Sequence, residues 1–417
     1  MANRWSLGTL RSTRPGRSSP GRRAGLVALR AGVRLPMIAA ALVFAFGCAL
    51  SVIAPVMEVL LIGRVAQGLG GGGLVSLAFV AVPRFFPDRL MPRVMAAMSL
   101  LWGASAFLGP LVGGLFATYG SWRAGFGFFA AQAVLLAVFI WVLRERDPAL
   151  PISTADATLP YRRLALLCLS VLAVAFAGIV ETPTLMALSL SAGVAALVLF
   201  VRLDAASGAD RLWPQRAFDP RHGTGAALLM LLAMSLGTMG LAAYGPLLMA
   251  LIHGTPVIVA GYVVAAISIA WTVAAVIVSG APERLDPVMI VTGMALIFLS
   301  VAGSAYAVPA GPVALIAVFA ACEGFGFGMA WTFVLRRAKR LAPEGEVERL
   351  TASVPTISRL GYALGASVVG IFANSAGFDA SASAEAAAHV ARTIFLGSLP
   401  FAAIGFLAAL RFASARS

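Results

Sequence analysis

The stretch PVIVAGYVVAAISIAWTVAAVIVSG, residues 256–280, carries no charged side chain. A helix needs about 20 consecutive apolar residues to cross the roughly 30 Å hydrocarbon core of a bilayer. The stretch is continuously apolar, whereas the strands of a membrane barrel alternate apolar and polar residues over about 10 positions. It therefore predicts a membrane-spanning α-helix.

Eleven further stretches share this pattern, so the sequence predicts an all-α polytopic membrane protein with about twelve transmembrane helices. The composition agrees, because 60% of the residues are hydrophobic and 12% are charged, against roughly 45–50% and 25% in soluble proteins. So few charges cannot cover a water-facing surface, which excludes a soluble globular fold. The predicted spans are 36–57, 59–83, 94–119, 122–143, 163–180, 183–201, 224–252, 256–280, 287–308, 311–335, 353–375 and 389–412.

The basic residues predict the orientation, because cytoplasmic loops are enriched in Lys and Arg. With both termini in the cytoplasm, 27 of the 31 Lys and Arg residues fall in cytoplasmic segments, Arg64 and Arg359 fall within spans, and only Arg123 and Arg392 fall on the outer side. The net charge of +14 is then a topology signal, and its partner is membrane lipid. A nucleic-acid partner would need that charge on one soluble face. We expect an integral protein of the cell inner (plasma) membrane.

The longest cytoplasmic connections predict the domain organisation. They contain Pro and charges of both signs, and the helix pair at 163–180 and 183–201 between them has a very short turn around Glu181. The predicted parts are an Arg-rich cytoplasmic segment at 1–35, an incomplete four-helix N-terminal bundle at 36–143, a central linker helix pair with cytoplasmic loops at 144–221, a six-helix C-terminal bundle at 222–412 and a cytoplasmic tail at 413–417.

Enzymatic and cofactor chemistry find little support in the sequence. Cys48, Cys168 and Cys322 lie far apart in apolar runs, without metal-ligand spacing. The glycine clusters at 125–127 and 324–328 lack the strand that precedes a dinucleotide site, and no nucleotide-hydrolysing P-loop motif occurs. We therefore expect no catalysis, no metal and no cofactor, and energy from an ion gradient or from the substrate itself.

Two spans carry motifs that could bear on function. Arg64 and Gln67 in the second span lie one turn apart and project from one helix face, where they line a cavity or take part in helix packing. Glycines at 68 and 70–73 follow them and permit close approach of a neighbouring backbone.

The third span carries small residues at Gly103, Gly109, Gly113 and Gly114, together with Pro110. This pattern predicts a bent helix packed tightly against another helix, with a conformational role and no ligand contact. We expect Gly113→Val to disrupt the tight crossing.

A basic, glycine-punctuated segment precedes the first span and contains Gly25, Arg30, Gly32 and Arg34. With this segment, residues 25–412 resemble the major facilitator superfamily, specifically its fourteen-helix drug:proton antiporter branch. The four residues match the family's inner-loop pattern G-x-x-x-D-R-x-G-R-R, although Leu29 replaces the aspartate. Residues 64–68 match R-x-x-Q-G, and residues 109–114 match G-P-x-x-G-G in full.

The resemblance implies helical bundles that work by alternating access, usually as a monomer, and export drug-like compounds in exchange for protons. It implies a proton-coupling role for Arg64 and an inner-loop gate at Gly25, Arg30, Gly32 and Arg34. It also aligns the first span with the family's third helix, so that the first two are absent. Residues 1–24, with six Arg and no acid, then reflect a misassigned gene start or frame error, a true truncation or a targeting segment.

Glu323 is the carboxylate that lies well inside a predicted span, at 311–335. Because an ionised carboxylate is costly there, Glu323 is a candidate proton carrier or counter-charge for a cation. The alternatives are a glutamate that joins two helices by hydrogen bonds or one that lies closer to the interface. Arg359, about two turns into the next span, pairs with Glu323 or reaches to the inner surface.

These observations predict a secondary active transporter that exports small amphipathic or drug-like compounds by proton coupling. A facilitator or importer of a small metabolite on the same fold is the first alternative, and it would be indifferent to a protonophore. A truncated, non-transporting remnant or a membrane enzyme is the second, although no polar catalytic cluster supports an enzyme.

Overall fold

The computed structural model describes residues 33–85, 91–143, 160–180, 182–343, 345–379 and 383–415. Within these ranges the ordered elements are α-helices and two short 3₁₀ turns, Gly208–Asp210 and Glu283–Leu285. The helices are α1 Arg34–Ile53, α2 Met57–Phe85, α3 Met91–Tyr119, α4 Trp122–Val142, α5 Tyr161–Ala177, α6 Pro183–Ala205, α7 Gly223–Gly237, α8 Met239–His253, α9 Val257–Val278, α10 Asp286–Ala310, α11 Val313–Leu341, α12 Val347–Ser375 and α13 Ala384–Ser414.

The helices confirm the predicted fold class. α7 and α8 adjoin at Thr238 and together form one 31-residue apolar stretch, Gly223–His253. Counted as one continuous helix, they bring the number of long helices in the described chain to twelve. Ten of them are long and apolar enough to cross a bilayer. The other two are α5, which has 17 residues, and α3, which contributes a shorter apolar stretch at Phe107–Ala117.

Local signals fix several helix ends. The Ser121 hydroxyl accepts a hydrogen bond from the backbone N–H of Arg123 and begins α4, and Ser383 does the same for Ala386 in α13. Such caps satisfy backbone donors that a helix leaves unpaired in its first turn. Gly254 ends α8 with φ of 61°, a left-handed conformation that glycine adopts without steric cost.

The chain divides into two compact units. The first consists of Met1–Ala97 with Ser121–Ala157, and in its described part α1 packs against both α2 and α4. Two arginines clamp the ends of the antiparallel α1–α4 pair. Arg34 donates to the carbonyls of Ile140 and Trp141 at the end of α4, and Arg123 donates to the carbonyl of Ala54 at the end of α1.

The second unit consists of Met98–Gly120 and Thr158–Ser417. Its core consists of two apolar clusters that draw on α5–α13, with fully buried side chains such as Met234, Met294 and Phe333. The second unit thus contains the latter part of α3 and the α5–α6 hairpin together with the C-terminal helices. The domain limits at 143 and 221 remain a prediction.

The segment between α6 and α7 is folded, although the sequence suggested only a linker. Asp204 accepts hydrogen bonds from Arg163 and from the backbone N–H groups of Leu212 and Trp213. The Trp213 ring packs edge-on against Phe200 and Phe218. Buried carboxylates that accept several hydrogen bonds hold a loop in one conformation.

The same segment is attached to the start of α12. Glu346 accepts from the Arg211 guanidinium at 2.5 Å and from the backbone N–H of Gln215 at 3.0 Å. Near its end, the backbone N–H of Arg221 donates to Asp219, which lowers the pKa of that partly exposed carboxyl. The segment therefore connects the α5–α6 hairpin to both α7 and α12.

Candidate functional site

Glu323 lies at the centre of α11 and is only 4% exposed. Its carboxyl interacts with the side chain of Ser300 on α10, whose hydroxyl also donates to the carbonyl of Phe319 at 2.7 Å. Three other described carboxylates, Asp204, Asp286 and Glu346, are buried, and each of them pairs with an arginine. Among the described ion pairs none involves Glu323, so this acid is buried without a cationic partner.

The glycines that follow Glu323 hold α11 between two neighbours. A Cβ on Gly324 would lie 1.9 Å from the carbonyl oxygen of Ile267 on α9, and one on Gly328 would lie 2.4 Å from that of Trp271. A Cβ on Gly326 would meet the carbonyl oxygen of Gly293 on α10 at 2.4 Å. The alternating glycines therefore allow both helices to approach α11 beside Glu323, which gives the cluster a packing role.

A second polar group faces this part of the unit from α12. Tyr362 is close enough to Glu323 and Arg359 for both charges to act on its hydroxyl, and it lies beside Ser235 of α7. The Ser235 hydroxyl is buried without a hydrogen-bond partner in the described residues. Gly361 lets α12 approach α7 here, since its Cβ would lie 2.6 Å from that of Ser235. Glu323, Ser300, Tyr362 and Ser235 thus form a polar cluster among four helices.

Arg359 does not pair with Glu323 in this structure. Its side chain is exposed, one helical turn before Tyr362. The described ion pairs do not include it. The geometry favours the alternative in which this arginine reaches away from the buried carboxylate, and its role remains a prediction.

Arg64 and Gln67 meet as their spacing predicts. Arg64 Nη1 donates to Gln67 Oε1 at 2.8 Å, and Gln67 Nε2 donates to the carbonyl of Gly47 and the hydroxyl of Ser51 on α1, at 3.0 and 2.8 Å. Gln67 is buried, whereas Arg64 is exposed with its guanidinium 5.8 Å from the centre of the Phe126 ring. The buried amide thus holds the exposed guanidinium in place.

Close packing of α1 on α2 forms this network. A Cβ on Gly47 would lie 2.6 Å from the backbone nitrogen of Gln67, and one on Gly70 would lie 2.4 Å from that of Phe44. Gly70 therefore permits the close approach that the sequence predicts. Gly68 and Gly72 face open space, with nothing within 4 Å of an added Cβ.

Only some of the small residues of the α3 motif lie against a neighbouring helix. Gly103 lies within α3, and Pro110 lies inside the helix against Gly261 of α9, whose added Cβ would be 2.9 Å from that of Pro110. A Cβ on Gly114 would lie 3.1 Å from that of Ile258, but a Cβ on Gly109 or Gly113 would meet no atom within 4 Å. Gly113 is therefore not at a crossing, and the expectation for Gly113→Val is wrong for this conformation.

The proposed inner-loop gate is described only in part. Gly25, Arg30 and Gly32 lie outside the described residues, while Arg34 forms the first turn of α1. There it donates to the last carbonyls of α4, which a helix leaves without partners. Its gate role remains a prediction.

Sequence reasoning missed the partners of these side chains. Ser300 lies beside Glu323, Tyr362 lies within range of its charge, and Ser51 and Gly47 bind Gln67. Each partner lies on a different helix from the residue it serves. Serine and glycine are common in apolar spans, so their presence at these positions did not mark them as part of a site.

The sequence model of the Major Facilitator Superfamily matches residues 24–366. The chain belongs to this superfamily. It is therefore an integral membrane transporter, and the family is one of transporters rather than enzymes.

Curated relatives agree with this family, and a solved structure agrees with the fold. Probable multidrug-efflux transporters of two Mycobacterium tuberculosis strains, CDC 1551 / Oshkosh and ATCC 25618 / H37Rv, are each 29% identical over 396 residues, which cover 91% of this chain and 81% of theirs. The crystal structure of PepTSo, a POT family transporter, matches with a TM-score of 0.58 and 17% identity over 94% of this chain and 85% of its own. That likeness concerns the fold alone.

Proposed function

We propose that this transporter exports small amphipathic or drug-like compounds from the cell in exchange for protons. The observation that carries the proposal is Glu323, a buried carboxylate in an apolar helix with no cationic partner in the described structure. Ionised groups in such surroundings are costly and mark ion or substrate paths. The efflux names of the Mycobacterium relatives support export as the direction.

Proton exchange follows from the environment of Glu323. In its protonated form the carboxyl is neutral and is accommodated among apolar helices beside Ser300. Loss of the proton creates an uncompensated charge, which a cationic or hydrogen-bonding substrate would relieve. Substrate and proton therefore compete for one site, and alternating access of that site to the two sides of the membrane couples their fluxes.

Arg64 completes the proposal in the first unit. Its guanidinium is exposed yet fixed by the buried Gln67 amide, so it presents a positive charge with little freedom to move away. We assign it a coupling role through charge, as the resemblance to the antiporter branch implies. Gly68, Gly109, Pro110, Gly113 and Gly114 match the same branch and belong to its conformational motifs.

The finer assignments follow from the same resemblance and from the charge pattern. They are membership of the fourteen-helix drug:proton antiporter branch, with α1 equivalent to that branch's third helix, a plasma-membrane location with both termini cytoplasmic, and action as a monomer. Membrane lipid and protons are the remaining partners.

The test uses the full chain in proteoliposomes loaded with a fluorescent cationic drug and driven by a pH gradient. Glu323→Gln keeps the shape and removes the titratable group, so we expect pH-driven drug flux to fall at least about tenfold while the purified protein stays monodisperse. Glu385→Gln alters an exposed carboxylate in the first turn of α13 and should leave the flux unchanged.

Two results would contradict the proposal. Equal pH-driven flux in the wild type and in Glu323→Gln would show that Glu323 does not couple drug export to proton movement. Flux down the substrate gradient that is indifferent to a protonophore would instead favour the metabolite facilitator.

A further inference from the structure

A cavity of about 680 Å³ lies at one end of the second unit, where the turn before α10, the last turns of α11 and the end of α13 meet. Its lining includes Arg284, Arg337 and Arg340, a single acid, Glu283, and the apolar side chain of Leu341. Three guanidinium groups against one carboxylate give this lining a net charge of +2. None of these lining residues belongs to the proposed drug-transport site.

The three arginines of the lining differ in how many of their guanidinium N–H groups have a hydrogen-bond partner in the protein. Arg337 donates from Nε and Nη2 to the last carbonyls of α13, including that of Phe412 at 3.1 Å. Arg340 donates to Glu283 at 2.5 Å and also to Asp286. Arg284 is exposed and has no ion pair within the described residues. The cavity therefore keeps guanidinium donors that the protein itself does not satisfy.

The groups behind the cavity do not cancel this charge. Asp286 is fully buried, and Arg336 and Arg340 both pair with it. Counting this layer with the lining, four arginines face two carboxylates. The local excess of positive charge thus stays at two, which favours an anion of similar charge.

We propose that this cavity binds a phosphate group. Phosphate oxygens match the planar, forked donors of several guanidinium groups, and such charge-assisted pairs are the stronger kind of hydrogen bond. The volume exceeds that of one phosphate and falls within the range of about 300–1,000 Å³ for ligand pockets, so the cavity has room for a larger molecule that carries the group. That molecule is an anionic phospholipid headgroup or a soluble phosphorylated compound.

The experiment uses the full chain and two probes. The first is phosphatidylglycerol against phosphatidylcholine, with retained lipid counted by native mass spectrometry. The second is inorganic pyrophosphate in detergent, with binding read from the thermal unfolding midpoint. Three variants are compared: Arg284→Gln, Glu283→Gln and the control Lys339→Gln, which alters an exposed cation of α11 outside the cavity lining.

We expect Arg284→Gln to weaken binding of whichever probe binds the wild type about threefold to tenfold. The lower value corresponds to the loss of one solvent-exposed charged contact, and the upper value to the loss of one that is shielded from water. Glu283→Gln should strengthen binding, because it removes the acid of the lining and leaves the Arg340–Asp286 pair. Lys339→Gln should have no effect. Selective retention of phosphatidylglycerol identifies a headgroup, and a response to pyrophosphate alone identifies a soluble compound.

Failure to bind either probe would overturn the assignment, as would equal losses in Arg284→Gln and Lys339→Gln. Neither result bears on proton-coupled export, because no step of transport is measured.

Discussion

At the scale of single residues, neighbouring glycines in one motif have different surroundings. Gly113 faces open space, while a Cβ on Gly114 would lie 3.1 Å from that of Ile258. The sequence marks both positions as small but does not say which faces the neighbouring helix. A rotation of about 100° per residue around a helix separates the two directions.

The first residue-scale prediction compares Gly114→Val with Gly113→Val. The valine at 114 must displace Ile258, and overpacking of this kind costs about 1–3 kcal/mol. We expect Gly114→Val to lower the thermal unfolding midpoint in detergent and Gly113→Val to leave it nearly unchanged. A larger loss at 113 than at 114 would show that the contact of α3 with α9 is different from the one described.

The second residue-scale prediction concerns Gln67→Leu. The substitution removes the hydrogen bonds to Gly47, Ser51 and Arg64, and the exposed guanidinium loses its fixed position. Loss of buried hydrogen-bond partners costs about 1–3 kcal/mol, so we expect a lower unfolding midpoint and weaker pH-driven flux. The control Gln132→Leu alters an exposed amide on α4 and should change neither quantity. Unaltered flux in a less stable Gln67→Leu would restrict Gln67 to packing.

At the scale of helices, the order of small residues sets which helices can cross closely. Gly324 and Gly328 lie against α9 and Gly326 lies against α10, so one short run serves two crossings. Helices in a membrane associate through such close backbone approach, since burial of apolar surface supplies little drive there. The result is a fixed position for Glu323 between its neighbours.

The helix-scale prediction is that Gly324→Ala destabilises the second unit. The added Cβ would lie 1.9 Å from a backbone carbonyl of α9, which a side-chain rotation cannot relieve. We expect a loss of about 3 kcal/mol or more, at the upper end of overpacking costs, measured by chemical unfolding in detergent. Gly68→Ala is the control, because it meets no atom within 4 Å and should be neutral or slightly stabilising. Equal stability of the two variants would contradict the described α9–α11 crossing.

At the scale of the whole molecule, the basic residues give the chain its proposed direction across the membrane. Several of them also have defined structural partners, such as Arg34 at the end of α4 and Arg337 at the end of α13. Cations near the carbonyl ends of helices are favoured by unpaired oxygens and by the helix dipole. The same arginine side chains therefore contribute to the proposed orientation and bind the carbonyl ends of helices.

The molecule-scale prediction is a topology test in a cysteine-free background. Ala206→Cys lies in the loop proposed to be cytoplasmic, and Tyr119→Cys lies at an exposed turn proposed to be on the outer side, 84% accessible. We expect a membrane-impermeant thiol reagent to label Tyr119→Cys in intact cells and Ala206→Cys only after permeabilisation. The reverse pattern would invert the proposed orientation.

The sequence by itself determined the fold class, because a continuous apolar run in lipid must satisfy its own backbone hydrogen bonds and therefore becomes a helix. It also indicated Glu323 as an acid within a span and the shared helix face of Arg64 and Gln67, since both depend on positions along a single helix. Ten of the helices are long and apolar enough to cross a bilayer.

Only the tertiary structure decided which side chains meet between helices. It left Arg359 apart from Glu323, placed Ser300 beside that acid and Tyr362 within range of its charge, and gave Gly114 but not Gly113 a close neighbour. These outcomes depend on the rotation and depth of each helix against the next. In lipid that choice rests on close packing and hydrogen bonds between helices, and a hydropathy pattern along one chain contains neither.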